Sequence, residues 1–306
     1  MIKLERLLIP TDFSEAANDA LPHAFEIAQR FGAELTMVHV RTPFSGDPAQ
    51  PEHHFFDEAE YESYVADKLR EKSRKAGSEL VVRTLAKHSI SAAPGILEVI
   101  EENQIDLVVM GTHGRSALAN FFLGSVAEKV VRFSPVPVIT VGQDQPGYRK
   151  DPDYKKVLAT FDFSKHSREA VKGAKQFAEK YGAHLQVLYV IEQVVHPGYY
   201  EAWKESVAQD APAIESEARK ALIDTVGEEG FGEMELCVEL GAGDGKAYAG
   251  ISRFAREQET DLIVMGTHGL SGFQHMLLGS TTERVVRTAP CPVLTFHLGQ
   301  TEEPLT

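Results

Sequence analysis

DLVVMGTHG at residues 106–114 returns as DLIVMGTHG at residues 261–269, and the copies differ only at Val108 against Ile263. After nine further residues each copy reaches Gly-Ser. Both therefore read Gly-x2-Gly-x9-Gly-Ser, with Gly111, Gly114, Gly124 and Ser125 in the first and Gly266, Gly269, Gly279 and Ser280 in the second. An apolar run of this length bounded by turn residues is a buried strand, and the Gly-Ser pair opens a helix. A glycine at the strand exit leaves no side chain between the backbone and an approaching anion. The second glycine permits positive φ, so that a loop can turn its N–H groups inward. The helix start offers unpartnered N–H groups and the positive end of a dipole, and the serine hydroxyl adds a donor or a metal ligand. The plain alternative is that these are turn and capping residues of any α/β domain. Two intact copies in one structural context favour a phosphate cradle over that reading.

The duplication extends outward from the motif. LLIPTDFS matches VLATFDFS, which sets Asp162 at the place of Asp12; ELTMVHV matches HLQVLYV, and SPVPVITV matches APCPVLTF. The offset is 150 residues over the first two strands and 155 from the fourth strand on, so five extra residues lie between, in region 199–231 or its flanking loops. In the first repeat, strands are expected at 4–10, 34–40, 80–86, 106–111 and 136–141. Helices are expected at 15–32, within 57–77, at 95–103 and from 124 onward. The repeats span 1–142 and 155–298, with 142–154 as linker. Strands alternating with helices, and apolar along their length, specify an α/β fold: two tandem doubly wound five-stranded parallel-sheet domains. Ligands of such sheets sit beyond the carboxyl ends of the strands where the strand order reverses. If the first and fourth strands flank that point, Asp12 shares a crevice with Gly111, and Asp162 shares one with Gly266.

A chain of 306 residues suits two domains, each large enough to bury its own core. The net charge of −14 divides as −5 over residues 1–150 and −9 over 151–306. No basic cluster is present, which excludes a nucleic-acid binder and requires any phosphate to be held locally. No apolar run is long enough to span a membrane. The start, MIKLERLLIPTDF, has no small-residue cleavage site and reads as no signal peptide. Two cysteines without metal or redox spacing suit a cytoplasmic setting.

Other residues can carry chemistry. Asp12 and Asp162 either accept backbone hydrogen bonds in the turn or face the base or ribose of a ligand. Asp106 and Asp261, at the opposite end of the fourth strand, read as structural turn residues. His113 and His268 lie inside the cradle, as structural loop histidines or as phosphate contacts. Arg115 follows the first cradle where the second has Leu270, so an inward Arg115 would make the two sites differ. GAGDGKAY at 241–248 lacks one residue of a P-loop and has Ala247 for its Ser/Thr. There is no Gly-x-Ser-x-Gly elbow and no His-Glu-x-x-His, and no nucleophile–base pair stands out. No catalytic residue is assigned.

At these residues the chain resembles the universal stress protein family in its tandem form, over both repeats nearly end to end. The Gly-x2-Gly-x9-Gly-Ser pattern after Val-Met-Gly is the mark of the family's ATP-binding members. The resemblance implies an adenine nucleotide alpha-hydrolase-like fold and ATP (or AMP/ADP), with Mg2+, as ligand. It places Asp12 on the adenosine and the Val40 backbone at the adenine, with Gly111, Gly114, Gly124 and Ser125 on ribose and phosphates. Asp162, Val190, Gly266, Gly269, Gly279 and Ser280 match in the second repeat. It also implies intramolecular pairing of the two repeats, pseudo-twofold related, through VPVITV and CPVLTF, and leaves a homodimer open. The third-strand exits depart from one another, KHSISAAP against GAGDGK, which sets the two sites apart. The expected function is a stress or regulatory protein that binds adenine nucleotide. The competing readings are a slow ATPase or phosphoryl or nucleotidyl transferase, and a nucleotide-free scaffold acting through strand edges.

Overall fold

The strands at the centre of each repeat are the most apolar segments of the chain, and burial on both sheet faces follows from that. In the computed structural model, which describes residues 4–42, 58–74, 80–112, 123–142, 152–192, 200–228, 234–240, 245–269 and 278–297, two compact units are centred on Ile2–Asp144 and Asp153–Leu298. In the first, the elements run β1 (Arg6–Pro10), α1 (Glu15–Asp19), α2 (Leu21–Phe31), β2 (Glu34–Arg41), α3 (Glu58–Ser73), β3 (Val82–His88), α4 (Ala92–Glu102), β4 (Leu107–Gly111), α5 (Ser125–Phe133) and β5 (Val138–Val141). In the second they run β6 (Lys156–Thr160), α6 (Lys165–Tyr181), β7 (His184–Ile191), α7 (Tyr200–Glu228), β8 (Glu235–Leu240), α8 (Ala247–Glu257), β9 (Leu262–Gly266), α9 (Ser280–Thr288) and β10 (Val293–Phe296).

The strand order is β3-β2-β1-β4-β5 in the first unit and β8-β7-β6-β9-β10 in the second, with every pair parallel. β1 therefore lies beside β4 and β6 beside β9, so the order reverses between them, as the fold rules require. Leu7, Leu8 and Ile9 of β1 and Val108 and Val109 of β4 are fully buried. The third strand departs from the expected apolar character: β3 has only half-buried and exposed positions, because it lies at the edge. Among the described residues no helix is long and apolar enough to cross a membrane.

Two local differences from the sequence expectations have simple causes. The helix expected over 15–32 is broken into α1 and α2, and the break falls just before Pro22, which has no N–H to offer the Asn18 carbonyl. Lys172 holds the same place in α6, which runs unbroken for 17 residues. The five extra residues are also divided. Strand registers pair Thr36 with Arg83 and Gln186 with Glu235, an offset of 152 in the third strand, so two of the extra residues precede that strand and three follow it. The cavity-side exit after β8 is longer than its counterpart after β3.

Asp106 and Asp261 have the structural role expected of them. Asp106 Oδ2 accepts the backbone N–H groups of Glu5 and Arg6, each at 2.8 Å, and Asp261 Oδ2 accepts those of Lys155 and Lys156, each at 2.9 Å. Each carboxylate thus ties the start of the first strand to the start of the fourth. An Asp106→Ala change removes two charge-assisted bonds and should lower the unfolding free energy of the first unit by about 1–3 kcal/mol, read from denaturant unfolding. Ligand affinity at the other end of the strands should stay the same.

Candidate functional site

The first site is built where β1 ends. Thr11 N–H still bonds the Val38 carbonyl at 2.8 Å, and then the chain turns sharply. Phe13 adopts φ 66°, the left-handed region that a bulky side chain avoids at a cost of about 1–3 kcal/mol. The turn is held by Thr11 Oγ1, which accepts from Phe13 N at 3.0 Å, and by Asp12 Oδ1, which accepts from Ser14 N at 3.0 Å. Ser14 then caps α1 by accepting from Ala17 N at 3.2 Å. The second repeat repeats the strain and the bonds: Phe163 has φ 65°, and Asp162 Oδ1 and Ser164 Oγ accept from Ser164 N and Ser167 N. The turn role expected of this aspartate is therefore observed. One carboxylate oxygen fixes the turn, and the residue lines the cavity.

That cavity, of about 280 Å3, brings together Asp12, Val40, Gly111, Gly124 and Ser125 over an apolar floor that includes Val38, Ile96 and Met110. The second, of about 460 Å3, brings together Asp162, Val190, Gly266, His268, Gly269, Gly279 and Ser280. A concave apolar pocket with a few convergent polar groups is the usual form of a small-molecule site. Gly124 and Gly279 precede α5 and α9 with no side-chain cap bond, so the opening N–H groups of both helices are not engaged by a capping side chain. His113, Gly114 and Arg115, and Leu270 in the second repeat, lie outside the described residues.

Gly111, Gly266, Gly269 and Gly279 each meet a packing constraint that sequence reading did not foresee. A Cβ on Gly111 would lie 2.6 Å from the Ala16 carbonyl oxygen, and one on Gly266 would lie 2.8 Å from His166 Cβ and 3.0 Å from its carbonyl carbon. Helix α1, or α6, packs directly on the strand exit, so the missing side chain makes room for that helix. Gly269 is not at positive φ. Its constraint is the Asp162 carboxylate, whose Oδ2 would be 2.6 Å from a Cβ there. Gly279 is held close to the Thr267 carbonyl, 3.0 Å from its would-be Cβ, while its own N–H bonds that carbonyl at 2.9 Å.

Sequence reading expected α4, at 95–103, but not that its first turns line the first cavity. A Cβ on Gly95 would sit 2.7 Å from Val40 Cγ1, so this glycine lets α4 pack against the strand residue lining the first cavity. The small residues of AAPG at the start of α4 were the available signal. In the second repeat Glu192 lines the cavity and accepts the Ala247 N–H at 3.0 Å, capping α8 where the first repeat has Thr42 beside its cavity strand. Neither thiol is activated by its surroundings: burial pushes the Cys237 thiol up to about 11 and the Cys291 thiol higher still. Among the described residues no group of three or more His, Cys, Asp or Glu could hold a metal ion.

The profile of the universal stress protein family matches residues 3–142 and again 153–297. The chain belongs to the universal stress protein family. It is similar along nearly its whole length to a universal stress protein of Mycolicibacterium smegmatis, 27% identical over 94% of this chain and 95% of that one. A universal stress protein of Methanocaldococcus jannaschii is 33% identical over 45% of this chain and 81% of its own. The crystal structure of a universal stress protein from Archaeoglobus fulgidus shares the fold with a TM-score of 0.66 at 24% identity, covering 97% of this chain and all of that one. This universal stress protein thus has two family domains in tandem, and each contains the same crevice.

Proposed function

We propose that each repeat binds one adenine nucleotide, with ATP as the main ligand and AMP or ADP as weaker ones, and that the chain acts as a nucleotide-responsive regulatory module. The observation that carries this reading is the convergence, in each of the two cavities, of an aspartate from the first strand, a valine from the second and the uncapped start of a helix after the fourth. The apolar floor suits a flat base, the aspartate suits ribose hydroxyls, and the helix start suits phosphate. Mg2+ would enter with the phosphates, which supply oxygens and leave most of its water shell in place. Ser125 and Ser280, which line the cavities, would offer a hydroxyl to that ion or to a phosphate oxygen.

The test is to denature freshly purified protein and quantify released nucleotide by chromatography and mass. About two adenine nucleotides per chain is the expected result; none, even after incubation with Mg-ATP, overturns the reading. Asp162→Asn should then lower nucleotide affinity about 10- to 100-fold at the second site, the worth of hydrogen bonds to a charged acceptor, in a calorimetric titration. Because the Asx bond to Ser164 N can survive in Asn, the turn should fold unchanged.

A further inference from the structure

The second cavity carries a carboxylate that its counterpart lacks. Among the described residues, Asp12 is the one acidic residue lining the first cavity, whereas Asp162 and Glu192 both line the second. Thr42 holds the place of Glu192 in the first repeat, by the offset of 150 that relates the second strands. Glu192 directly follows β7 and stands two residues beyond Val190, which lines the same cavity. The Ala247 N–H donates to its Oε1 at 3.0 Å, and that bond fixes the carboxylate at the start of α8. Lys246, the N-cap residue of α8, makes no side-chain cap bond, so Glu192 supplies the missing acceptor from another element.

That bond decides which way round a nucleotide can lie. α8 and α9 both start at the cavity, and a helix start is a place for phosphate. The start of α8 already holds a negative charge, which repels a second one. The start of α9 has no side-chain cap and lies beside the end of β9, where the Gly279 N–H bonds the Thr267 carbonyl at 2.9 Å. Phosphate therefore goes to α9, and the strand order β7-β6-β9 sets the sequence of contacts. With strands about 4.8 Å apart, the end of β7 lies about 10 Å from the end of β9, and Asp162 at the end of β6 lies between them. A nucleoside phosphate covers such a span from base to phosphate, with its ribose in the middle. The base accordingly rests against β7 and α8, where Val190 and Ile251 offer apolar contact and Glu192 faces its edge. A carboxylate accepts hydrogen bonds and donates none. With Oε1 engaged by Ala247, Oε2 is the atom left to meet the base, and it suits an edge that presents an amine rather than a keto oxygen.

We propose that Glu192 is the base-reading residue of the second site, accepting a hydrogen bond from the 6-amino group of adenine. This rests on the nucleotide reading of the cavity. The second site thus selects a 6-aminopurine through a side chain, and the first, with Thr42 at that place, selects it less strongly. Because the Ala247 bond holds the carboxylate before the ligand arrives, little side-chain ordering opposes the contact.

The experiment compares Mg-ATP with the Mg complex of purine riboside triphosphate, which differs from ATP in lacking the 6-amino group. Both are titrated calorimetrically into the full chain carrying Asp12→Asn, which weakens the first site so that the second is read. With Glu192 in place, ATP should bind about 10-fold tighter than the analogue. That is the lower end for a hydrogen bond to a charged group, because the carboxylate is exposed. In Glu192→Gln the amide oxygen can still cap α8, but the NH2 group then meets the amine donor to donor, and the ratio should fall to about one. Loss of the charge alters the hold on phosphate for both ligands alike, and so would a merely structural role for Glu192; neither moves the ratio. An unchanged preference in Glu192→Gln, or equal affinities before the substitution, overturns the base-reading role and leaves the nucleotide reading intact. Binding of neither triphosphate to the unsubstituted chain overturns both. Should Glu192→Gln not fold, Glu192→Thr takes its place, with the same collapse of the ratio expected and a persistent preference overturning the role.

Discussion

Gly111→Val is expected to lower the stability of the first domain by about 3 kcal/mol or more, at the upper end of overpacking costs. The added Cβ meets the Ala16 carbonyl oxygen at 2.6 Å and the Ala16 carbonyl carbon at 2.9 Å, so backbone must move where a flexible side chain could have yielded. Helix α1 can relieve the clash only by lifting from β4, and that displaces the Asp12-Phe13-Ser14 turn whose left-handed Phe13 depends on being held from both sides. Thermal unfolding should show the first transition roughly 10 °C lower. Nucleotide released per chain should fall from about two to about one, with the second repeat unaffected. Gly227→Ala is the control: nothing lies within 4 Å of its Cβ position and its φ is ordinary, so this change in α7 should be neutral or stabilising by up to about 1 kcal/mol. A Gly111→Val chain as stable as the wild type would mean that α1 does not depend on contact with the strand exit.

The second large effect is a pH dependence. His23 lies in α2 with 2% of its surface exposed, and burial pushes its pKa down to about 4 from the ordinary 6.5. The native ring stays neutral between these values, whereas the unfolded chain takes up the proton. The unfolded state therefore binds more protons in that window, and stability falls as pH drops from about 6.5 to about 4. At 1.36 kcal/mol per unit the loss approaches roughly 3 kcal/mol for this one residue. Urea unfolding of the first domain at several pH values should show it, and His23→Leu should flatten the difference between pH 7 and pH 4.5 by about that amount. A variant that loses stability with acid as steeply as the wild type would assign the acid sensitivity to other groups. His166 and His297, lowered in the same direction, place a smaller dependence of the same sign in the second domain.

The doubly wound architecture and the structural role of Asp106 could be read before any coordinates, and the crevice between β1 and β4 followed from fold rules on the condition that those strands flank the reversal point, as they do. Apolar runs alternating with helical ones restrict the sheet to parallel strands, and a duplicated pattern restricts both halves to one solution. Pro22 is a case where the signal was present and not used. Its missing N–H marks the break between α1 and α2 as plainly as Gly32, at φ 71°, marks the end of α2.

What the amino-acid sequence determined by itself is the family, the parallel α/β architecture of each repeat and the set of residues that meet in each crevice, Asp12 with Gly111, Gly124 and Ser125, and Asp162 with Gly266, Gly279 and Ser280. Periodicity, turn residues and repetition are properties of the chain read in order, and they suffice for this. Only the tertiary structure decided what packs against the described glycines. Gly111 and Gly266 make room for a helix, Gly95 for Val40, and Gly269 for the Asp162 carboxylate. It also decided that His166, His268 and His297 stand together, although 102 residues separate the first from the second and 29 the second from the third. Close approach between distant segments is set by how helices settle on a sheet, and no local pattern encodes the few tenths of an ångström that decide it.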